Sequence, residues 1–284
     1  MGSSLIMPPS ASSGPPGRKL GYRRDPRKAP GETLDRDAKV KLRSGPVPAS
    51  SDNSKLLVDI LDQGNLGSCV ANGCFQAIRG SHVKQGVENP VLGSRLYGYW
   101  FARSYTHDTA SDSGTFLRNF FAAINKFGFP PESLWPYYDD DHSFAIQPNT
   151  AAVKAAFDQH APTEYSRIYS TGGDRIDDIK RALGAGFLVP FGTLVSTAFT
   201  ETSPDTTPIM PPIGLSIAGG HCMVIVDHVG NIFRICNSWS KNWGVAGCCY
   251  FDAEYLEWDQ TDDLWIVESA PRFSDPNYDA RKAA

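Results

Sequence analysis

The chain has no apolar run long enough to span a bilayer, and its N-terminus lacks the charged-then-apolar order of a secretory signal. These two absences predict a soluble protein, with no membrane partner. No Asn-x-Ser/Thr acceptor occurs, so no glycosylation site points to a secretory route. Charge of one sign is not in excess. With 27 basic against 31 acidic residues and a net charge of -4, there is no global reason to expect nucleic acid as a partner. There is no Cys-x-x-Cys pair and no matching pair of histidines, so a zinc site is not expected. "GAGF" at 184 lacks the third glycine and the preceding strand of a dinucleotide fingerprint. No metal and no cofactor is assigned.

What is present is enough for a large core. The 284 residues, 41% of them hydrophobic, suffice for one large domain or two closely packed lobes. Six cysteines would allow three disulfides, but Cys248 and Cys249 are adjacent, and Cys222 and Cys236 sit in strand-like runs where a thiol serves as a small hydrophobe. Thiols are the expectation.

Composition divides the chain. Residues 1–17, "MGSSLIMPPSASSGPPG", are rich in Ser, Pro and Gly and bury too little apolar surface to offset their ordering entropy, so a flexible tail is expected. "RKLGYRRDPRK", 18–28, carries six basic residues and one acid and reads as a solvated connector, as a polyanion patch, or as part of an inhibitory prosegment lying near an acidic surface or across a cleft. The extension as a whole is taken as 1–50, with a packed strap expected at about 33–50. A globular region follows over 51–270, then a short tail over 271–284. Within it, 69–85, 92–105 and 115–127 show helical spacing of apolar residues, and the last of these stops at Gly128 and Pro130-Pro131. Then the period changes. "FLVPFGTLV", "HCMVIVDHV", "NIFRICNSW" and "GCCYFDAEYL" read as strands of a meandering antiparallel sheet, preceded by an amphipathic helix at 176–186. The fold class is α+β: a helical lobe at about 56–165, then a β lobe at about 166–270.

One stretch carries chemistry. In "QGNLGSCVANG", 63–73, Cys69 stands where a helix is about to start, and unpaired N–H groups at a helix N-terminus favour a thiolate. Gly64 and Gly67 let the backbone turn, and Ser68 is a plausible cap. A thiolate needs a base and an orienting group. His221 follows two glycines at a strand start, and Asn237 ends the next strand sixteen residues later, so an antiparallel hairpin can bring the two side by side. Singly, each has a structural explanation. Together with Cys69 they make a Cys-His-Asn set.

These residues carry a family resemblance. "QGNLGSC" resembles the active-site signature of papain-like cysteine peptidases, "GGHCMVIV" their histidine motif and "NSWSKNWG" their Asn-Ser-Trp motif, while "SDSGTFLRNFFAAINKFGFPPESLWPY" resembles their cleft wall and following helix. The likeness covers about 56–268 and is nearest to bacterial, archaeal and viral members. It implies a two-lobed fold, a helical lobe followed by an antiparallel β-barrel-like lobe with the cleft between them, acting on peptide or protein substrates. It further implies Cys69 as nucleophile, His221 as base and then acid, Asn237 as orienter, and Gln63 as oxyanion donor. Gly114, Gly219 and Gly220 would meet substrate, and Trp239 would shield the His-Asn bond.

The chain departs from that pattern in places. Leu66 stands where secreted members have a second cysteine, which points to a reducing compartment, cytoplasmic or virion-associated. Val70, Ser240 and Gly220 replace the more usual aromatic, glycine and acid or amide. An inactive scaffold that only binds, or an acyltransferase using the same three residues, would carry the same motifs. His82, His107, His142, His160 and His228 have no paired motif, and "YYDDDH", 137–142, reads as a solvated loop.

Overall fold

A computed structural model of the chain describes residues 19–26, 36–37, 45–160 and 163–270. The tails expected at 1–17 and 271–284 lie outside those residues, as does most of the strap expected at about 33–50.

Three helices form where apolar spacing called for them. Helix α1 (Cys69–Lys84) is buried from Cys69 to His82, which makes it the central helix of its lobe. Against it pack α2 (Arg95–Ser104) and α3 (Leu117–Phe127). In α3, Leu117, Phe120, Phe121 and Ile124 fall at i, i+3, i+4 and i+7, so one face is apolar and buried, and Gly128 closes the helix at φ 67°. Phe75 of α1 meets Phe120 edge-on at 5.1 Å. Helix α4 (Thr150–Asp158) begins at Asn149, whose side-chain oxygen accepts from Ala152 N at 2.8 Å.

The second half is built on strands. β1 (Arg36–Asp37) and β2 (Ser50–Ser51) are short edge pieces contributed by the N-terminal extension. β3 (Glu164–Ile168) pairs with β1 and, on its other side, with β8 (Leu264–Ser269). The larger sheet is organised around β5 (Ile217–Val229), which pairs antiparallel with β4 (Val189–Ser196) and with β6 (Ile232–Cys236); β7 (Cys248–Asp252) lies beyond β6. A bulge between Ile225 and Asp227 shifts the β5–β6 register by one residue. Among the described residues both sheets are open, so the lobe is barrel-like only loosely.

Two sequence expectations needed adjusting. The helix expected at 176–186 is α5 (Gly172–Gly184), and "GCCYFDAEYL" is not one strand. It breaks after β7 because Asp252 accepts from Glu254 N at 3.0 Å and so starts a short helix, α7 (Ala253–Glu257). A similar short helix, α6 (Thr197–Glu201), follows β4. One apolar cluster joins the helices to the near face of β5, and a second fills the space between the larger sheet and α5. No helix among the described residues is long and apolar enough to cross a membrane.

Candidate active site

The cleft lies between the start of α1 and the strands β4 to β6. Cys69 is the first residue of α1 and is wholly enclosed, with the backbone N–H groups of Cys222, Gly21 and Val70 directed at its sulfur. Cys222 is the neighbour of His221, so the thiol abuts the strand that carries the histidine. Ser68 sits at the helix N-cap position, but its hydroxyl does not cap α1; it lies 2.6 Å from the Tyr137 hydroxyl and takes a hydrogen bond from Asn72 at 3.1 Å. Gly64 turns the chain at φ 54°, and Gly67 donates to Asp112 at 3.0 Å.

Burial changes the thiol expected from the sequence. Desolvation, with Cys222 beside it, pushes the Cys69 thiol up to about 12, and this outweighs the three N–H groups that favour the thiolate. The reason is that the cleft is filled by the chain's own residues 19–25, described below.

Strand register brings His221 and Asn237 together. Cys236 pairs with Val224, so Asn237, the next residue, lies diagonally across from His221. His221 Nε2 is 2.8 Å from Asn237 Oδ1, and the same oxygen accepts from Ser238 N at 2.7 Å. A backbone N–H can only donate, so the atom it meets is the amide oxygen, and His221 Nε2 must carry a proton toward it. In the neutral ring the lone pair is then on Nδ1. Trp239 is fully buried and stacks on the imidazole at 4.7 Å between centroids.

Gln63 is tied to the sheet side and faces the cleft. Its backbone N–H donates to Ser238 O at 2.9 Å, its side-chain oxygen accepts from Ser238 Oγ at 2.6 Å, and its amide nitrogen donates to Leu66 O at 2.7 Å and to Lys19 O at 2.8 Å. Tyr137 Oη donates to Gln63 O at 2.8 Å, so the first residue of the supposedly idle 137–142 run buttresses this loop. The five other histidines do not join the site: His228 contacts Gly230 O at 3.1 Å, for example, and His160 contacts Asn125 O at 2.8 Å.

Residues 19–25 run through the cleft. Thr115 N donates to Gly21 O at 2.8 Å and Arg23 N to Thr115 O at 2.9 Å, a parallel pairing, while Tyr22 N donates to Gly220 O at 3.1 Å. Gly114, at φ 71°, supplies close approach; its own N–H donates to the Tyr99 hydroxyl at 3.0 Å, and the backbone pairing is made by Thr115. Gly219 pairs with Val195 within the sheet. A Cβ on Gly21 would overlap Gly67 O, and one on Gly114 would overlap Gly21 O, so three glycines interlock. The basic side chains of the segment meet acids: Lys19 with Asp112 at 3.1 Å, Arg23 with Asp108 at 2.7 Å, Arg24 with Asp262 at 3.5 Å.

Several residues here carry no sequence signal. Tyr22 is buried, its ring lying where a Cβ on Gly192 would be, and its hydroxyl donates to Asp263 Oδ2 at 2.8 Å. Asp25 pairs with Arg118 and lies 3.9 Å from Arg167, which also holds Asp263 at 2.8 Å. Burial pushes the Asp263 carboxyl up to about 6, against the opposing pull of Arg167. Only the tertiary fold joins these positions.

No family model matches the chain. A peptidase C1-like protein of Acanthamoeba polyphaga mimivirus, itself uncharacterised, is 34% identical over 219 residues, spanning 73% of this chain and 69% of that protein. Among solved structures, xylellain, a cysteine protease from Xylella fastidiosa, superposes with a TM-score of 0.77 at 25% identity, covering 94% of this chain and all of that one. A cysteine protease of Carica candamarcensis solved with E-64 gives 0.59 at 18%, covering 78% and 99%; at that identity the likeness is one of fold. With a relative this similar along more than two thirds of both chains, the protein belongs to the papain-like cysteine peptidases.

Proposed function

We propose that the chain hydrolyses peptide bonds through a thioester on Cys69, with His221 as the proton carrier and Asn237 as its orienter. The observation that carries this reading is the pair of hydrogen bonds onto Asn237 Oδ1, from Ser238 N and His221 Nε2, which fixes a proton on Nε2 and leaves Nδ1 to exchange one with the sulfur. With the cleft open, Cys69 gives its proton to Nδ1 and the thiolate attacks the carbonyl carbon. The oxyanion takes hydrogen bonds from the Gln63 amide and the Cys69 N–H. Collapse breaks the C–N bond, and the Nδ1 proton leaves with the amine. Water then attacks the thioester while Nδ1 takes its proton; the acid departs and the thiol is restored.

Residues 19–25 are read as an inhibitory strap. In this reading a substrate must displace Leu20, Gly21 and Tyr22 before it can reach Cys69, and tethering raises the strap's effective concentration to roughly millimolar. Labelling by a peptidyl epoxide tests the nucleophile: Cys69 of the opened chain is modified, and Cys69→Ala is not. Turnover of a fluorogenic peptide by chains beginning at Asp35 and at Val47, compared with the full chain, tests the strap. A several-fold gain without loss of thermal stability supports inhibition, and unchanged turnover refutes it.

A further inference from the structure

The strap shows what the cleft holds best beside its reactive residues. Tyr22 fills a chamber one residue from Gly21, whose N–H points at the Cys69 sulfur, and hangs by its own N–H from Gly220, the residue before His221. Its ring lies against Gly192 and Gly220; a Cβ on Gly192 would overlap the ring, and one on Gly220 would overlap Tyr22 O. The slot is as wide as a flat ring because two wall positions have no side chain. Its floor is polar. Asp263, fully buried, accepts from Tyr22 Oη at 2.8 Å and from Asp25 N at 3.1 Å, both on Oδ2, while Arg167 Nη2 stands 2.8 Å from Oδ1.

We propose that this chamber is the side-chain specificity pocket of the cleft and that it selects tyrosine in a peptide substrate, with Asp263 reading the hydroxyl. The inference rests on the peptidase reading for its use, but its chemistry is independent of turnover. Phenylalanine fits the slot and leaves the buried carboxylate oxygen without its hydroxyl donor, a loss felt in full because water is excluded there. A branched aliphatic side chain meets neither the slot's flatness nor its floor. Arginine or lysine is disfavoured by charge: Arg167 already bridges Asp263 and Asp262, and Arg175 also acts on Asp262, so a further cation would enter a site whose acids are taken. Selection by a buried polar group against the isostere lacking one atom is the steep kind of discrimination.

The test uses the full chain carrying Tyr22→Ala and Cys69→Ala, which empties the chamber without turnover. Binding of a labelled nonapeptide with the sequence of residues 18–26, and of versions with Phe, Leu or Arg at the tyrosine, is read by fluorescence anisotropy. The tyrosine peptide binds at least about tenfold more tightly than the phenylalanine one, and the arginine and leucine peptides bind more weakly still. Asp263→Asn shrinks the Tyr/Phe ratio to about threefold or less, because a neutral acceptor replaces the carboxylate. Gly192→Ala, whose Cβ takes the ring's place, abolishes binding of both aromatic peptides while melting as a folded protein; it decides the case if Asp263→Asn fails to fold. In parallel, the chain with Tyr22→Ala alone is given a random peptide library, and tyrosine is enriched at one fixed distance from the cut. Equal binding of Tyr and Phe peptides, a ratio unmoved by Asp263→Asn, or cleavage without tyrosine enrichment overturns the proposal. A tyrosine-selective pocket in a chain that cuts no library member upholds the pocket's selectivity and defeats the peptidase reading instead.

Discussion

The two walls of the cleft position their reactive groups by different means. The helical wall needs only a local device: α1 starts at Cys69, and the turn at Gly64 delivers the chain to that point. The sheet wall depends on pairing over a distance. His221 and Asn237 meet because β5 and β6 are in a register that sets Cys236 opposite Val224, and a slip of one residue would send both side chains to opposite faces. Cys69, the proposed nucleophile, is thus placed by the start of its own helix, whereas His221 and Asn237, the proposed base and orienter, share the fate of the β5–β6 ladder. The strap bridges the walls, bonding to Thr115 on one side and Gly220 on the other.

The largest expected effect breaks the comparison at its centre. In a chain opened by Tyr22→Ala, Cys69→Ala and His221→Ala each reduce turnover of a fluorogenic peptide by about 10⁴-fold or more, and the double variant is hardly worse, since groups that act as a unit are not additive. Unfolding is not expected from either change, and circular dichroism checks that. Normal cleavage by Cys69→Ala would end the assignment.

Next in size is the strap itself. Gly21→Ala puts a methyl group into the Gly67 carbonyl, so the segment must leave the cleft. Alkylation of Cys69 by iodoacetamide at pH 7 then rises by about 100-fold over the intact chain, as a buried neutral thiol becomes an exposed one beside an imidazole. An unchanged rate, followed by mass spectrometry of the Cys69 peptide, would show that the strap does not guard the sulfur.

Asn237→Ala sharpens the contrast between the walls. Loss of the orienter leaves the histidine held by Trp239 stacking and by its strand, so kcat should fall by roughly 10- to 100-fold, less than for the triad's other members. Loss of folding in place of activity would make Asn237 a structural residue.

The smallest effect is a slope with pH. Closure raises the Cys69 pKa to about 12, so the closed state favours the protonated thiol. The sign follows: closure is at full strength below the pKa of the open thiol and weakens as pH rises through and beyond it. Binding of the 18–26 peptide to the Tyr22→Ala chain therefore weakens by up to about tenfold per pH unit in that range. The same chain with Cys69→Ala shows no such slope.

What the sequence made legible follows the same division. Cys69 and the three helices of the first lobe rest on local signals, a turn, a helix start and a 3.6-residue period, whereas Gln63 was implied only by the resemblance of "QGNLGSC" to the family's signature. His221 and Asn237 were legible because they flank one hairpin sixteen residues apart. The Tyr22–Asp263 bond spans 241 residues, and the Arg118–Asp25 pair spans 93. No periodicity or spacing encodes such pairs. Of the alternatives open for 18–28, the one lying across the cleft holds for 19–25; its charge alone could not choose between solvent and the acids Asp108, Asp112 and Asp262 that face it, because those acids are distant in sequence. The splitting of "GCCYFDAEYL" was hidden for a smaller reason: its apolar run hid the capping carboxylate of Asp252.

The interlocked glycines have a consequence for how this sequence can drift. Gly21 belongs to the strap, and Gly67 and Gly114 to the helical wall; Gly67 O occupies the space a methyl group on Gly21 would need, and Gly21 O the space one on Gly114 would need. Substitution at Gly21 is expected to release the strap, while substitution at Gly114, which sits at φ 71°, also strains the wall on which any other peptide must lie. On the proposed inhibitory reading, guard and gateway are therefore mutationally asymmetric: a methyl group at Gly21 frees the cleft, whereas one at Gly114 disturbs the guard and the substrate's wall together.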